Sequence, residues 1–135
     1  MSRKLRCVLL VLILVMGMCL AGCKEEEKIR DLDFTVVSSD CIPKELLSEI
    51  DSKKQEEFRL TFRDKDYLYL CMGYGEKETG GYSICVEDLY LTDSSIVFDT
   101  TLLGPKHTKE NKRKEASYPY IVIKMEYIDA TVIFS

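Results

Sequence analysis

Residues 67–91 read YLYLCMGYGEKETGGYSICVEDLYL, and the fold turns on how this stretch is paired. A dense aromatic and aliphatic run ends at Met72. A polar run follows, with Gly73, Gly75, Gly80 and Gly81, four of the seven glycines in the chain, and a second apolar run begins at Tyr82. Two strands adjacent in the chain and joined by a polar loop read most simply as a hairpin. On the first strand Leu68, Leu70 and Met72 share a face, and Tyr67, Tyr69 and Cys71 share the other. On the second, Ile84 and Val86 oppose Ser83, Cys85 and Glu87. Pairing position 71 with 85 puts both apolar sets on one side, as a sheet with a single buried face requires. That register makes Glu78 the midpoint of a long, charged, outward tip. It also places Cys71 and Cys85 to face each other as a disulfide, although the same thiols equally fit a reduced state. Gly80-Gly81 supplies the positive φ that a tight return needs.

Outward from this stretch the pattern stays β-rich. FRLTF at 58–62 alternates apolar and polar, and RDKD at 63–66 is a turn. TDSS at 92–95 turns the chain into IVFDTTLL at 96–103. A long polar loop, GPKHTKENKRKEAS, covers 104–117, and its KENKRKE segment is a local basic patch. YPYIVIKMEY at 118–127 and TVIF at 131–134 give a two-strand ending. Pro119 lacks an amide donor and so starts its strand or lies on an edge. Upstream, DFTVVS at 33–38 is β-branched and alternating, a first strand. At 43–55, PKELLSEIDSKKQ changes period: Leu46, Leu47 and Ile50 share one helical face, and Pro43 suits the first turn. The sum is a mainly β chain of about seven strands with one amphipathic helix, a β-sandwich or an open barrel with the helix plugging one side.

The N-terminus carries a different signal. Arg3, Lys4 and Arg6 precede an apolar run from Val8 to Leu20, short for a bilayer span but fitting the apolar core of a secretory signal. Leu20-Ala21-Gly22-Cys23 then resembles a bacterial lipoprotein signal, in which small residues admit the peptidase and the cysteine receives the diacylglycerol. The expected organisation is a signal peptide at 1–22, a charged solvated tether at 23–32 and one β domain at 33–135. Losing Arg3, Lys4 and Arg6 changes the formal charge from −4 to −7. An acidic chain of this kind argues against nucleic acid and against an electrostatic hold on anionic lipid. The membrane link is then the lipid on Cys23, and the expected location is the extracytoplasmic face of the cell membrane.

Catalytic chemistry finds little footing. The loop lacks the Gly-Lys-Ser/Thr ending of a phosphate cradle and enters a strand, so no helix N-terminus meets an anion. Glu76 and Glu78 sit on a solvated tip with nothing apolar to raise a pKa. His107 is the single histidine, in a polar loop. No CxxC and no Cys/His cluster suggests a metal. The expectation is no enzyme, no catalytic residue, no metal and no cofactor. A contact surface suits the stretch better, because tyrosines offer flat area at low entropic cost and glycine lets a partner's main chain approach. The candidate partner-binding residues are Tyr74, Gly75, Thr79, Gly80, Gly81 and Tyr82.

Gly75, Thr79, Gly80, Gly81, Tyr82 and Ser83, followed in order by Gly104, Pro105, Tyr118, Pro119 and Tyr120, resemble the PrcB family, which is named for a subunit of a cell-surface protease complex. The resemblance spans most of 67–127. It implies an exported β-rich domain that assists or binds a protease. Two other classes remain: a small exported enzyme using His107 with one of the thiols or the acidic tip, and a purely structural envelope lipoprotein in which the glycines serve folding alone.

Overall fold

The computed structural model describes residues 2–18, 26–105 and 115–135. Among them are helices α1 (Arg3–Met18) and α2 (Lys44–Lys53) and eight strands. β1 (Arg30–Asp31) and β2 (Thr35–Val36) are short; β3 (Glu57–Asp64), β4 (Tyr67–Tyr74), β5 (Ser83–Leu91) and β6 (Ser95–Leu103) are long; β7 (Tyr120–Glu126) and β8 (Thr131–Phe134) close the chain. They form two four-stranded sheets, β1-β5-β6-β8 and β2-β7-β4-β3. The sheets pack as a sandwich and do not close into a barrel. α1 covers much of the apolar N-terminal run; no helix among the described residues is long and apolar enough to cross a membrane. Cys23 and His107 lie outside the described residues.

β4 and β5 are not a hairpin. β4 pairs with β3 and β7 in one sheet, and β5 pairs with β1 and β6 in the other. The reason lies in β4 itself, which is apolar on both faces. Leu68, Leu70 and Met72 point into the core between the sheets, while Tyr69 and Cys71 point the opposite way, under α2. Leu70 and Cys71 are consecutive and both 0% exposed. A hairpin with one buried face would leave Tyr69 and Cys71 in water, so β4 goes to the centre of a sheet covered on both sides. The expected Cys71–Cys85 disulfide falls with the hairpin. Cys71 lies opposite Leu60 and Val122, Cys85 lies opposite Thr101 on the other sheet, and both are free thiols.

The second cover is α2. Pro43 stands directly before its first turn, and Leu46 and Ile50, one turn apart, are fully buried against Phe58, Tyr69, Cys71 and Val122. Each such side chain contributes about 1.5–3 kcal/mol of burial free energy. On the other side of the same sheet, Leu70 and Ile123 meet Leu89, Ile96 and Phe98. Phe98 and Phe134 pack edge to face at 5.9 Å between ring centroids. The molecule is thus layered helix, sheet, sheet.

Two further departures from the sequence expectation have local causes. β5 shifts register between Val86 and Asp88, a bulge at Glu87. The bulge brings Val86 before it and Leu89 and Leu91 after it to the same core, which strict alternation forbids. The two expected closing strands are present as β7 and β8, and β8 runs parallel to β6 on the other sheet. Finally, the charged segment read as a tether does not trail in solvent. The Ile29 N–H donates to Leu91 O at 2.8 Å, the Leu32 N–H donates to Leu89 O at 2.9 Å, and Leu32 is buried in the core. Leu32 is the side chain that seats this charged run at the edge of β5; Ile29 contributes through its backbone and stays exposed.

Candidate partner-binding surface

The glycine-rich stretch crosses from one sheet to the other, and its first half is pinned down. At the end of β4 the Tyr74 hydroxyl meets Thr100 Oγ1 on β6 at 2.6 Å, tying the two sheets together. Gly75 is buried at φ +76°, and a Cβ there would sit 3.2 Å from the backbone of Glu56 and Glu57. Glycine is therefore required by both backbone and space. The Glu76 N–H donates to Gln55 O at 3.0 Å. Lys77 and Ser117 exchange backbone hydrogen bonds of 2.8 and 2.9 Å, and the Ser117 hydroxyl donates to Thr79 O at 2.7 Å. The tip is stapled at these points, which corrects the expectation of a wholly outward loop.

The second half is more open. Gly81 takes φ +87°, and a Cβ there would lie 3.0 Å from Pro105 Cβ. Tyr82 is half-buried beside Gly104. Gly80 differs from its neighbours: its φ lies outside the left-handed region and a Cβ would meet nothing within 4 Å. The positive φ expected across Gly80-Gly81 falls on Gly81 alone. Among the described residues the amides of Gly80 and Gly81 have no hydrogen-bond partner. Glu76, Glu78 and Gly81 are exposed, and Thr79 and Gly80 are half-buried.

Two other segments complete this end of the sandwich. The Tyr74 N–H donates to Pro119 O at 3.0 Å, and Pro119 immediately precedes β7, as its missing donor requires. The Tyr118 hydroxyl reaches Glu76 Oε1 at 3.4 Å, with the Lys54 ammonium 5.5 Å from the same ring. The residues singled out from sequence therefore converge, but in unequal roles. Tyr74 and Gly75 hold the crossover in place; Thr79, Gly80, Gly81 and Tyr82 form its accessible rim. Sequence reasoning missed Ser117, the clamp. Its only signal is a small hydroxyl residue just before Tyr-Pro-Tyr.

Burial pushes the Cys71 thiol up to about 12, so it is neutral at ordinary pH. Burial first, then Cys71 and Asp51, raises Tyr120. Among the described residues no group of three His, Cys, Asp or Glu side chains is placed to hold a metal.

Searches of curated proteins and of solved structures return no match. A scan of family models matches PrcB_C, PrcB C-terminal, over residues 68–126. That span runs from the second residue of β4 to the last of β7, and it holds the crossover with the 117–119 segment that clamps it. Over those residues the chain is similar to the PrcB C-terminal family.

Proposed function

We propose that the chain is a lipid-anchored, exported and non-catalytic module. Its β domain binds a protein partner, an exported protease or its precursor, in an accessory or assembly role. The rim Thr79–Tyr82 is the contact. The observation that carries this reading is Gly80. Gly75 and Gly81 are glycines because the fold needs them, by φ and by close approach. Among the described residues Gly80 has a φ outside the left-handed region and nothing within 4 Å of a Cβ, so none of them gives a folding reason for it. A partner's main chain lying against the rim does, since a Cβ at that point would hold it off. The amides of Gly80 and Gly81, unpaired among the described residues, supply donors for such a contact. The family match over 68–126 and the resemblance to a protease-complex subunit support the class of partner.

The test compares wild type with Gly80→Ala and Tyr82→Ala, solubilised from membranes in mild detergent. Co-purifying proteases are identified and quantified by mass spectrometry, and thermal midpoints are measured in parallel. Gly80→Ala should reduce capture of the protease at an unchanged midpoint. Equal capture by all three proteins removes the rim as the contact.

A further inference from the structure

We infer that the N-terminal segment holds the domain upright on the bilayer, with the 92–95 turn against the membrane and the glycine-rich rim at the far end. This rests on the reading that Cys23 carries the lipid.

The argument starts from the docked strap. The Glu26 carboxylate accepts hydrogen bonds from the hydroxyls of Thr92 and Ser94, in the turn between β5 and β6. Lys28 pairs with Asp31 and lies 3.9 Å from Asp88 on β5. β1 then pairs antiparallel with the end of β5, Arg30 opposite Leu91, and Leu32 enters the core. The strap is thus fixed to the body from residue 26 onward. Between Cys23 and Glu26 the chain makes three Cα–Cα steps, which span at most about 11 Å. Whatever path they take, the lipid-bearing residue stays within that distance of the Glu26 Cα, whose own carboxylate is bonded to the 92–95 turn.

Strand directions place everything else. β6 starts at Ser95 beside that turn and β8 starts at Thr131 opposite it. The Tyr127 N–H donates to Asp66 O at 2.8 Å, bringing the β3–β4 turn to the same end. β4 runs away from that end to Tyr74, and β5 returns to it from Ser83. The rim at 79–82 is therefore at the other end, one strand length off. Eight or nine residues at about 3.3 Å each put it roughly 25–30 Å further from the bilayer. The near end carries Asp64, Asp66, Glu126 and Asp129 against Arg63 and Lys65, so it gives anionic headgroups no electrostatic hold, and the leash alone sets the distance.

The experiment uses lipidated protein purified from membranes, in a Cys41→Ser/Cys85→Ser background so that only an introduced thiol labels. Mass spectrometry of the N-terminal peptide first reads the diacylglycerol on Cys23. Asp93→Cys and Glu78→Cys, both at exposed positions, are labelled with a fluorophore. They are then reconstituted in phosphatidylcholine vesicles containing headgroup spin-labelled lipid. Quenching should be at least several-fold stronger at 93 than at 78. A six-residue Gly/Ser insertion between residues 25 and 26 should cut quenching at 93 towards the level at 78. Lipid present with equal quenching at both sites, or quenching at 93 indifferent to the insertion, overturns the orientation and leaves the anchor standing. A Cys23 without lipid overturns the anchor, and the orientation with it.

Discussion

β4 and β5 are neighbours in the chain, similar in length and both rich in apolar residues, yet they meet different surroundings. β4 is the interior strand of a sheet sealed on one face by the other sheet and on the other by α2. β5 belongs to a sheet sealed on one face only, whose outer face shows Cys85, Thr101, Leu103 and Ile133 to solvent. The difference is written in parity. β4 buries six successive residues, Leu68 to Gly73, whereas β5 alternates until its bulge. A continuous run demands two covering layers and an alternating run demands one.

Breaking the cover on the sealed sheet should have the largest effect. Ile50→Ala removes a fully buried α2 side chain and should cost about 2–5 kcal/mol in urea unfolding. A loss of a few tenths would show that the sheet does not need its helix. Crowding the same sheet comes next. A Cβ at Gly73 would fall 2.0 Å from the Phe58 ring, so Gly73→Ala should cost about 1–3 kcal/mol as the ring is displaced. Gly80→Ala, in open space, should stay within about 0.5 kcal/mol.

Thiol chemistry sharpens the contrast between the faces. Cys41 and Cys85 are exposed and should react with a disulfide reagent in the native state, while Cys71 should react only on unfolding. The pH dependence has a definite sign. The folded Cys71 pKa, raised to about 12 by burial, lies above its ordinary 9.0, so the unfolded chain releases this proton first. The stability it contributes is intact below about pH 9 and is lost progressively as pH rises towards 12. Denaturant midpoints across that range check it, with Cys71→Ala expected to fall less steeply than the wild type. The smallest effect belongs to the half-open sheet. Asp88 and Asp99 are directly opposite on β5 and β6, and Asp99→Asn should raise stability by a few tenths to about 1 kcal/mol at low salt.

Much of this architecture is legible in the chain. The helix at 43–55 appears as α2 because Leu46 and Ile50 repeat at helical spacing after a proline. The long strands fall where alternation or dense apolar runs put them. The convergence of Gly81 with Pro105, and of Thr79 with Ser117, is less legible. The order of those segments was visible, but not that a staple at Lys77–Ser117 would pull half the loop inward. The bulge at Glu87 has a trace in VEDLYL, where the apolar positions change parity, and a strict alternation rule passes over it.

By itself the sequence determined which of the long segments extend, that 43–55 coils, and which residues seek cover, since side-chain periodicity is a property of each segment alone. Only the tertiary structure decided which strand lies beside which, and therefore that Cys71 and Cys85 stand apart and that a supposed tether is a strap. The physical reason is that residues 75–82 can close a hairpin or cross the ~10 Å between packed sheets equally well. What tips the choice is a second buried face on β4, satisfied by a helix some twenty residues upstream whose position no local pattern reveals.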